Sequence, residues 1–124
     1  EVILPFSMDT TVYFKTLRSY RCNPGILIAA EEGENVLAAY EGVVESVSED
    51  KEHGTTVTVI MGNGYKAIYG QLMNVTVAKG DTITTAQNIG EAAAPSSYYT
   101  EEGTHVFFEL MKNGVPINPI ILMQ

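Results

Sequence analysis

Positive charge is scarce in this chain, cysteine and histidine are close to absent, and no long apolar run occurs. Seven basic residues stand against fifteen acidic ones, a net charge of −8. Nucleic acid and anionic lipid both call for a basic surface, so neither is an expected ligand. Cys22 is the one cysteine; it excludes an internal disulfide and leaves the redox compartment open. No stretch approaches the roughly twenty apolar residues of a membrane helix, and nothing has the form of a signal peptide. The chain starts on Glu1 rather than methionine, which suggests an excised soluble part of something longer. Helical periodicity and long-period repeats are missing too.

What is present is the makings of one β-rich domain. A length of 124 residues, 45% hydrophobic and 18% charged, suits a single unit with a real core. Residues 1–24 differ in texture: Thr10 to Phe14 are β-formers, but Pro5 and Pro24 interrupt any long element. They read as an arm laid on the domain, with one short strand, anchored by Tyr13, Phe14 and Tyr20. From Gly25 to Gln124 short apolar or alternating runs are separated by turn residues. The runs are Ile26 to Ala29, Val36 to Tyr40, Val43 to Ser48, Thr55 to Met61, Tyr65 to Leu72, His105 to Lys112 and Val115 to Leu122. Asn63-Gly64 and Asn113-Gly114 are hairpin turns, because both residue types tolerate positive φ. Strands every eight to twelve residues predict an all-β fold, an antiparallel sandwich or open barrel.

The strand opening at Gly103-Thr-His-Val-Phe-Phe-Glu109 decides the chemistry. Side chains alternate faces along it, so His105, Phe107, Glu109 and Met111 share one face while Val106, Phe108 and Leu110 face a core. A second histidine at position 107 would make a compact two-imidazole metal grip. Phenylalanine has no lone pair to offer, so this strand is not one.

Taken in order, several pieces form a set: Gly25-Ile-Leu-Ile-Ala-Ala30, Val36-Leu-Ala-Ala-Tyr-Glu-Gly-Val-Val44, Gly62-Asn-Gly-Tyr65, Tyr69-Gly-Gln-Leu72, Val77-Ala-Lys-Gly-Asp-Thr-Ile83 with Gln87-Asn-Ile-Gly90, the His105 strand, and Asn113-Gly-Val-Pro-Ile-Asn-Pro119. The set resembles the LytM (M23 peptidase, lysostaphin-like) domain over about residues 25–122. The resemblance implies an antiparallel β-sheet groove. Active members are zinc endopeptidases that cut peptidoglycan cross-bridges. Their zinc-binding His-x-Gly-x-Asp falls here on Asn23 and Leu27, the second histidine of their His-x-His on Phe107, and the catalytic histidine of Tyr-x-His-Leu on Gln71. His105 alone matches. The resemblance therefore implies a degenerate member with no catalytic residues, no metal and no cofactor. It also implies a former metal pocket filled with apolar groups, since a catalytic zinc takes three protein donors and an open site.

Candidate groove residues are His105, Gln71, Tyr69, Asn23 and Phe107. For His105 the plain reading is a strand histidine satisfying a backbone carbonyl. His53, in the charged stretch Glu49 to Gly54, reads as solvated. Cys22 reads as unreactive. Glu31, Glu32 and Glu34 form a solvated turn rather than a calcium loop. Lys79 sits in a motif shared with biotinyl and lipoyl carriers, but their Met-Lys-Met or Asp-Lys-Ala setting is missing.

Within the family the final third and the N-terminal arm most resemble its sporulation branch. That branch implies a non-catalytic, extracytoplasmic domain on a membrane anchor outside this chain. Its partners would be a protein across the envelope or peptidoglycan, with a ring-type oligomer in view. The alternatives are an active zinc-dependent peptidoglycan endopeptidase and an amidase-activating LytM factor.

Overall fold

Alternation along the apolar runs becomes a twelve-stranded, almost wholly β structure, in which the computed structural model describes residues 1–122. In chain order the strands are β1 (Val2–Leu4), β2 (Ser7–Phe14), β3 (Ser19–Asn23), β4 (Ile26–Ala29), β5 (Asn35–Leu37), β6 (Gly42–Asp50), β7 (Gly54–Gly62), β8 (Tyr65–Met73), β9 (Thr82–Ile83), β10 (Asn88–Ala92), β11 (His105–Lys112) and β12 (Val115–Ile117). The main sheet runs β1-β4-β11-β8-β7-β6-β9, with β10 joining β8 to β5 and β12 beside β11; β2 and β3 make a separate hairpin. All the pairings are antiparallel.

The two expected hairpin turns are there. Asn63 and Gly64 have φ of 53° and 81°, Asn113 and Gly114 of 51° and 79°, the left-handed pairs that a tight turn between twisted strands needs. The tips also meet, Asn113 N donating to Gly64 O at 2.8 Å.

β11, held between β4 and β8, separates two cores. Phe108 and Leu110 join the larger one with Val44, Val57, Val59, Tyr69, Ile83 and Ile89. Phe107 faces the other way, into a smaller core with Phe14, Leu27 and Tyr99. Each buried side chain of this size is worth about 1.5–3 kcal/mol.

Three local expectations are corrected. The first 24 residues hold three strands rather than one: β1 pairs with β4, and β2–β3 fold as a hairpin. Strand β5 stops at Leu37, because Ala38 N and Ala39 N turn to Gln87 O and the Tyr69 hydroxyl instead of a ladder. The last run stops at Ile117 and becomes one helical turn, α1 (Pro119–Leu122). Asn118 Oδ1 accepts from Ile120 N at 3.1 Å, and Pro119 suits the first helical position. Among the described residues no helix is long and apolar enough to cross a membrane.

Candidate functional site

The smaller core is built around Phe107, one of the five candidate groove residues. β11 presents Phe107, and Leu27 on β4 lies directly opposite. On the other side Phe107 pairs with Gly70 of β8. Having no side chain, Gly70 lets His53 settle against the strand: a Cβ there would meet His53 Cβ at 3.2 Å and Phe107 Cβ at 3.3 Å. The His53 ring stacks on Phe107, centroids 3.9 Å apart and planes at 20°. Tyr99 stacks on His53 at 5.8 Å and meets His105 edge-on at 5.0 Å. Four rings thus fill this space, so His53 is not the solvated loop residue its charged neighbours suggest; its side chain is only 20% exposed.

Polar groups border the rings, some paired and some not: buried His53 Nδ1 and Glu102 Oε2 have no protein partner. The Tyr99 hydroxyl donates to Glu52 Oε2 at 2.8 Å. His53 Nε2 lies 3.5 Å from that same oxygen, and Arg21 reaches Glu52 Oε1 at 3.7 Å. Burial lowers the His53 pKa against the opposing pull of Glu52 and Asp50, so the ring faces the carboxylate neutral rather than as an ion pair. Burial likewise lowers His105 and raises the Tyr99 phenol, which the Glu52 carboxylate pushes further in the same direction. His105 Nδ1 bonds Gly103 O at 2.7 Å, while its buried Nε2 has no protein partner. The expectation of a strand histidine satisfying a carbonyl is met.

The five candidate residues are not gathered in one open groove; each is at most 2% exposed. His105 and Phe107 lie in the ring stack. Asn23 ends β3 with its amide donating to Pro5 O at 3.0 Å. Gln71 donates to Glu52 O at 2.8 Å and accepts from Ser96 N at 3.1 Å. Tyr69 points into the larger core, its ring 5.2 Å from Phe108 and its hydroxyl accepting from Ala39 N. Simple alternation puts Tyr69 and Gln71 on one face. It fails because Thr55 pairs with Leu72 while Val57 pairs with Tyr69. Thr56 alone then faces Gly70 and Gln71, a bulge with Gln71 at φ 62°. His53, Tyr99 and Glu52 are the site residues that the sequence did not single out. Their one sequence signal is Gly70, and it is readable only once the register opposite Phe107 is known. Among the described residues no three His, Cys, Asp or Glu side chains converge to hold a metal ion.

Glu109 lies two residues beyond Phe107 on the same face, and burial raises its carboxyl to about 7. A raised carboxylate pKa means that the folded state holds the proton longer than the unfolded one. The cause is desolvation, so the buried carboxyl costs nothing extra while protonated; stability falls as pH rises from about 4.5, and the loss is complete above about 7. Glu109→Gln should therefore melt with the parent at pH 4 and above it at pH 8. Parallel melting curves across that range would remove this account.

Comparison with known proteins places this geometry. A family model, peptidase family M23, matches residues 21–119. Stage II sporulation protein Q of Bacillus subtilis (strain 168) is 33% identical over 108 residues, which is 86% of this chain and 38% of that protein. The DD-carboxypeptidase/endopeptidase Mpg of Neisseria meningitidis serogroup B is 28% identical over 104 residues, 84% of this chain and 23% of that protein. This chain thus spans well under half the length of either relative. The solved SpoIIQ–SpoIIIAH pore-forming complex contains a chain that superimposes with a TM-score of 0.86 at 27% identity, covering 100% of this chain and 84% of that one.

Proposed function

This chain belongs to peptidase family M23, and from that premise we propose that it is a member that binds rather than cuts. One observation carries the reading: Phe107 and Leu27 pack against each other, without lone pairs, at the positions where the family resemblance puts zinc ligands. Asn23, the third such position, has its amide turned to Pro5 O. The residues present do not fit a catalytic zinc, which takes three nitrogen, oxygen or sulfur donors and an open position. In this reading His105, Gln71, Asn23 and Phe107 keep the former groove closed from within, and Tyr69 supports the sheet from behind. Residues 1–24 form an arm that precedes most of the family core; the family match begins at residue 21 and so takes in Asn23.

Binding then falls to exposed backbone. β9 covers only Gly42 and Val43 of β6, so the outer edge from Glu45 to Asp50 has no strand partner among the described residues. An open edge accepts a further strand. Glu45 is already paired with Lys66 at 3.0 Å, while Glu49 and Asp50, exposed at the far end of this edge, favour a strand with basic side chains and discourage indiscriminate pairing. The setting we propose is sporulation, with the domain extracytoplasmic, attached to a membrane anchor outside this chain, and paired with a SpoIIIAH-like protein; the likeness to stage II sporulation protein Q and to a chain of the SpoIIQ–SpoIIIAH complex supports it.

The test has two arms. Elemental analysis and a peptidoglycan digest of the purified protein should give no stoichiometric zinc and no cleavage; stoichiometric zinc with cleavage would restore the endopeptidase reading. Val47→Lys with Glu49→Lys should weaken capture of a SpoIIIAH-like domain at least tenfold, about 1.4 kcal/mol. Undiminished capture would move the contact off β6. Stimulation of an added amidase would favour the activator role.

A further inference from the structure

Cations are unevenly placed in this acidic chain. The hairpin of residues 7–23 carries Lys15, Arg18 and Arg21, three of the seven basic residues, against one of the fifteen acidic ones, Asp9. Arg21 turns inward, over Phe14 at 5.2 Å and toward Glu52. Lys15 and Arg18 are exposed at the tip. Tyr13 and Tyr20 pair directly across the strands with rings 5.1 Å apart. They are 44% and 72% exposed. The outer face of the hairpin is therefore aromatic and basic. Tyrosine and arginine are the side chains that most often anchor protein interfaces.

A complementary surface lies on the opposite side of the same molecule. A cavity of about 210 Å³ opens between β4, β5 and β11, lined by Ile28, Val36, Leu37, Tyr69, Val106 and Phe108. Glu34 also lines it, and the exposed Glu31 and Glu32 belong to the same turn. An apolar cavity of about 150 Å³ takes up benzene, so this one has room for a single aromatic ring. The hairpin packs on the Phe107 side of β11 through Phe14 and Tyr99, whereas the cavity lies on the Val106 and Phe108 side. A chain is thus not positioned to fill its own cavity.

We propose that the occupant is a second copy of this chain, with Tyr20 of one copy entering the cavity of the next and Lys15 and Arg18 meeting the Glu31–Glu34 turn. The two surfaces differ, so the contact is head-to-tail, and it closes into a ring or continues as a filament according to the angle between copies. It uses neither β6 nor the filled groove, and stands independently of the partner proposed above. Two chains of charge −8 repel at long range. At about 0.15 M salt that repulsion is screened beyond roughly 8 Å, while direct opposite-charge contacts persist.

Sedimentation velocity at that salt, from roughly 10 μM to 1 mM protein, the range of small transient interfaces, should show concentration-dependent assembly. Tyr20→Ala removes the inserting ring, and Leu37→Arg places a cation on the cavity wall; both positions are more than half exposed. Each variant alone should remain monomeric, its dissociation constant raised about thirtyfold, with an unchanged melting temperature. Mixed, they should form dimers and nothing larger, because one sound hairpin and one sound cavity remain. A parent chain that stays monomeric at 1 mM would overturn the proposal. So would assembly that survives Tyr20→Ala, or a mixture that forms no dimer.

Discussion

Phe107→Ala is expected to destabilise the protein by about 3–5 kcal/mol, a large share of the roughly 5–15 kcal/mol that holds a domain folded. The side chain is 1% exposed and carries the His53 ring on one face. Removing it leaves a void between Leu27, Gly25 and a histidine that has lost its stacking partner. The backbone has little freedom to close that void, because Phe107 pairs with β4 on one side and β8 on the other. Urea unfolding at constant m-value would report the loss; a cost below about 1 kcal/mol would mean that the rings are not packed as described. Phe107→His makes a useful companion. It restores an imidazole beside His105, yet it should bind no stoichiometric zinc, since Leu27 and Asn23 still withhold the other donors.

Gly25→Val is expected to be comparably damaging for the opposite reason. A Cβ at Gly25 would lie 2.6 Å from the Phe108 carbonyl oxygen and 2.8 Å from Phe107 Cζ. Neither can retreat, the first being backbone paired with β4 on one side and β8 on the other, and the second a buried ring. Overpacking of this kind costs about 1–3 kcal/mol, and the branched side chain puts valine at the upper end or above. Gly25→Val combined with Phe107→Ala should cost less than the two separately, because the missing ring relieves one clash while the carbonyl clash remains. Strict additivity in urea midpoints would separate the two positions and contradict the geometry.

These contacts show how far the residues spoke for themselves. Asn63-Gly64 and Asn113-Gly114 carry their backbone preference locally, so both hairpins were legible. Alternation along His105 to Lys112 likewise assigned the two faces of β11 correctly. Gln71 was not legible, because a bulge depends on how two distant segments pair, and Thr56 facing two residues leaves no mark in either segment. His53 failed for the same kind of reason. Its neighbours Glu49, Asp50, Lys51 and Glu52 are charged, and local polarity said solvent; the space vacated at Gly70 lies on another strand. The C-terminal turn was open to inspection at Asn118-Pro119, but the apolar Ile120, Ile121 and Leu122 outweighed that capping signal.

The ring stack also bears on how freely this sequence can drift. To become a metal centre the chain would have to change Phe107, Leu27 and Asn23 together. At Phe107 the change alone opens a hole beside His53, at Leu27 it buries a polar group with nothing to answer it, and at Asn23 it breaks the bond to Pro5 O, the first two at a cost of several kcal/mol. No intermediate has a bound ion to offset that loss. Single substitutions toward such a centre therefore run uphill until the last, and the packed rings act as a ratchet.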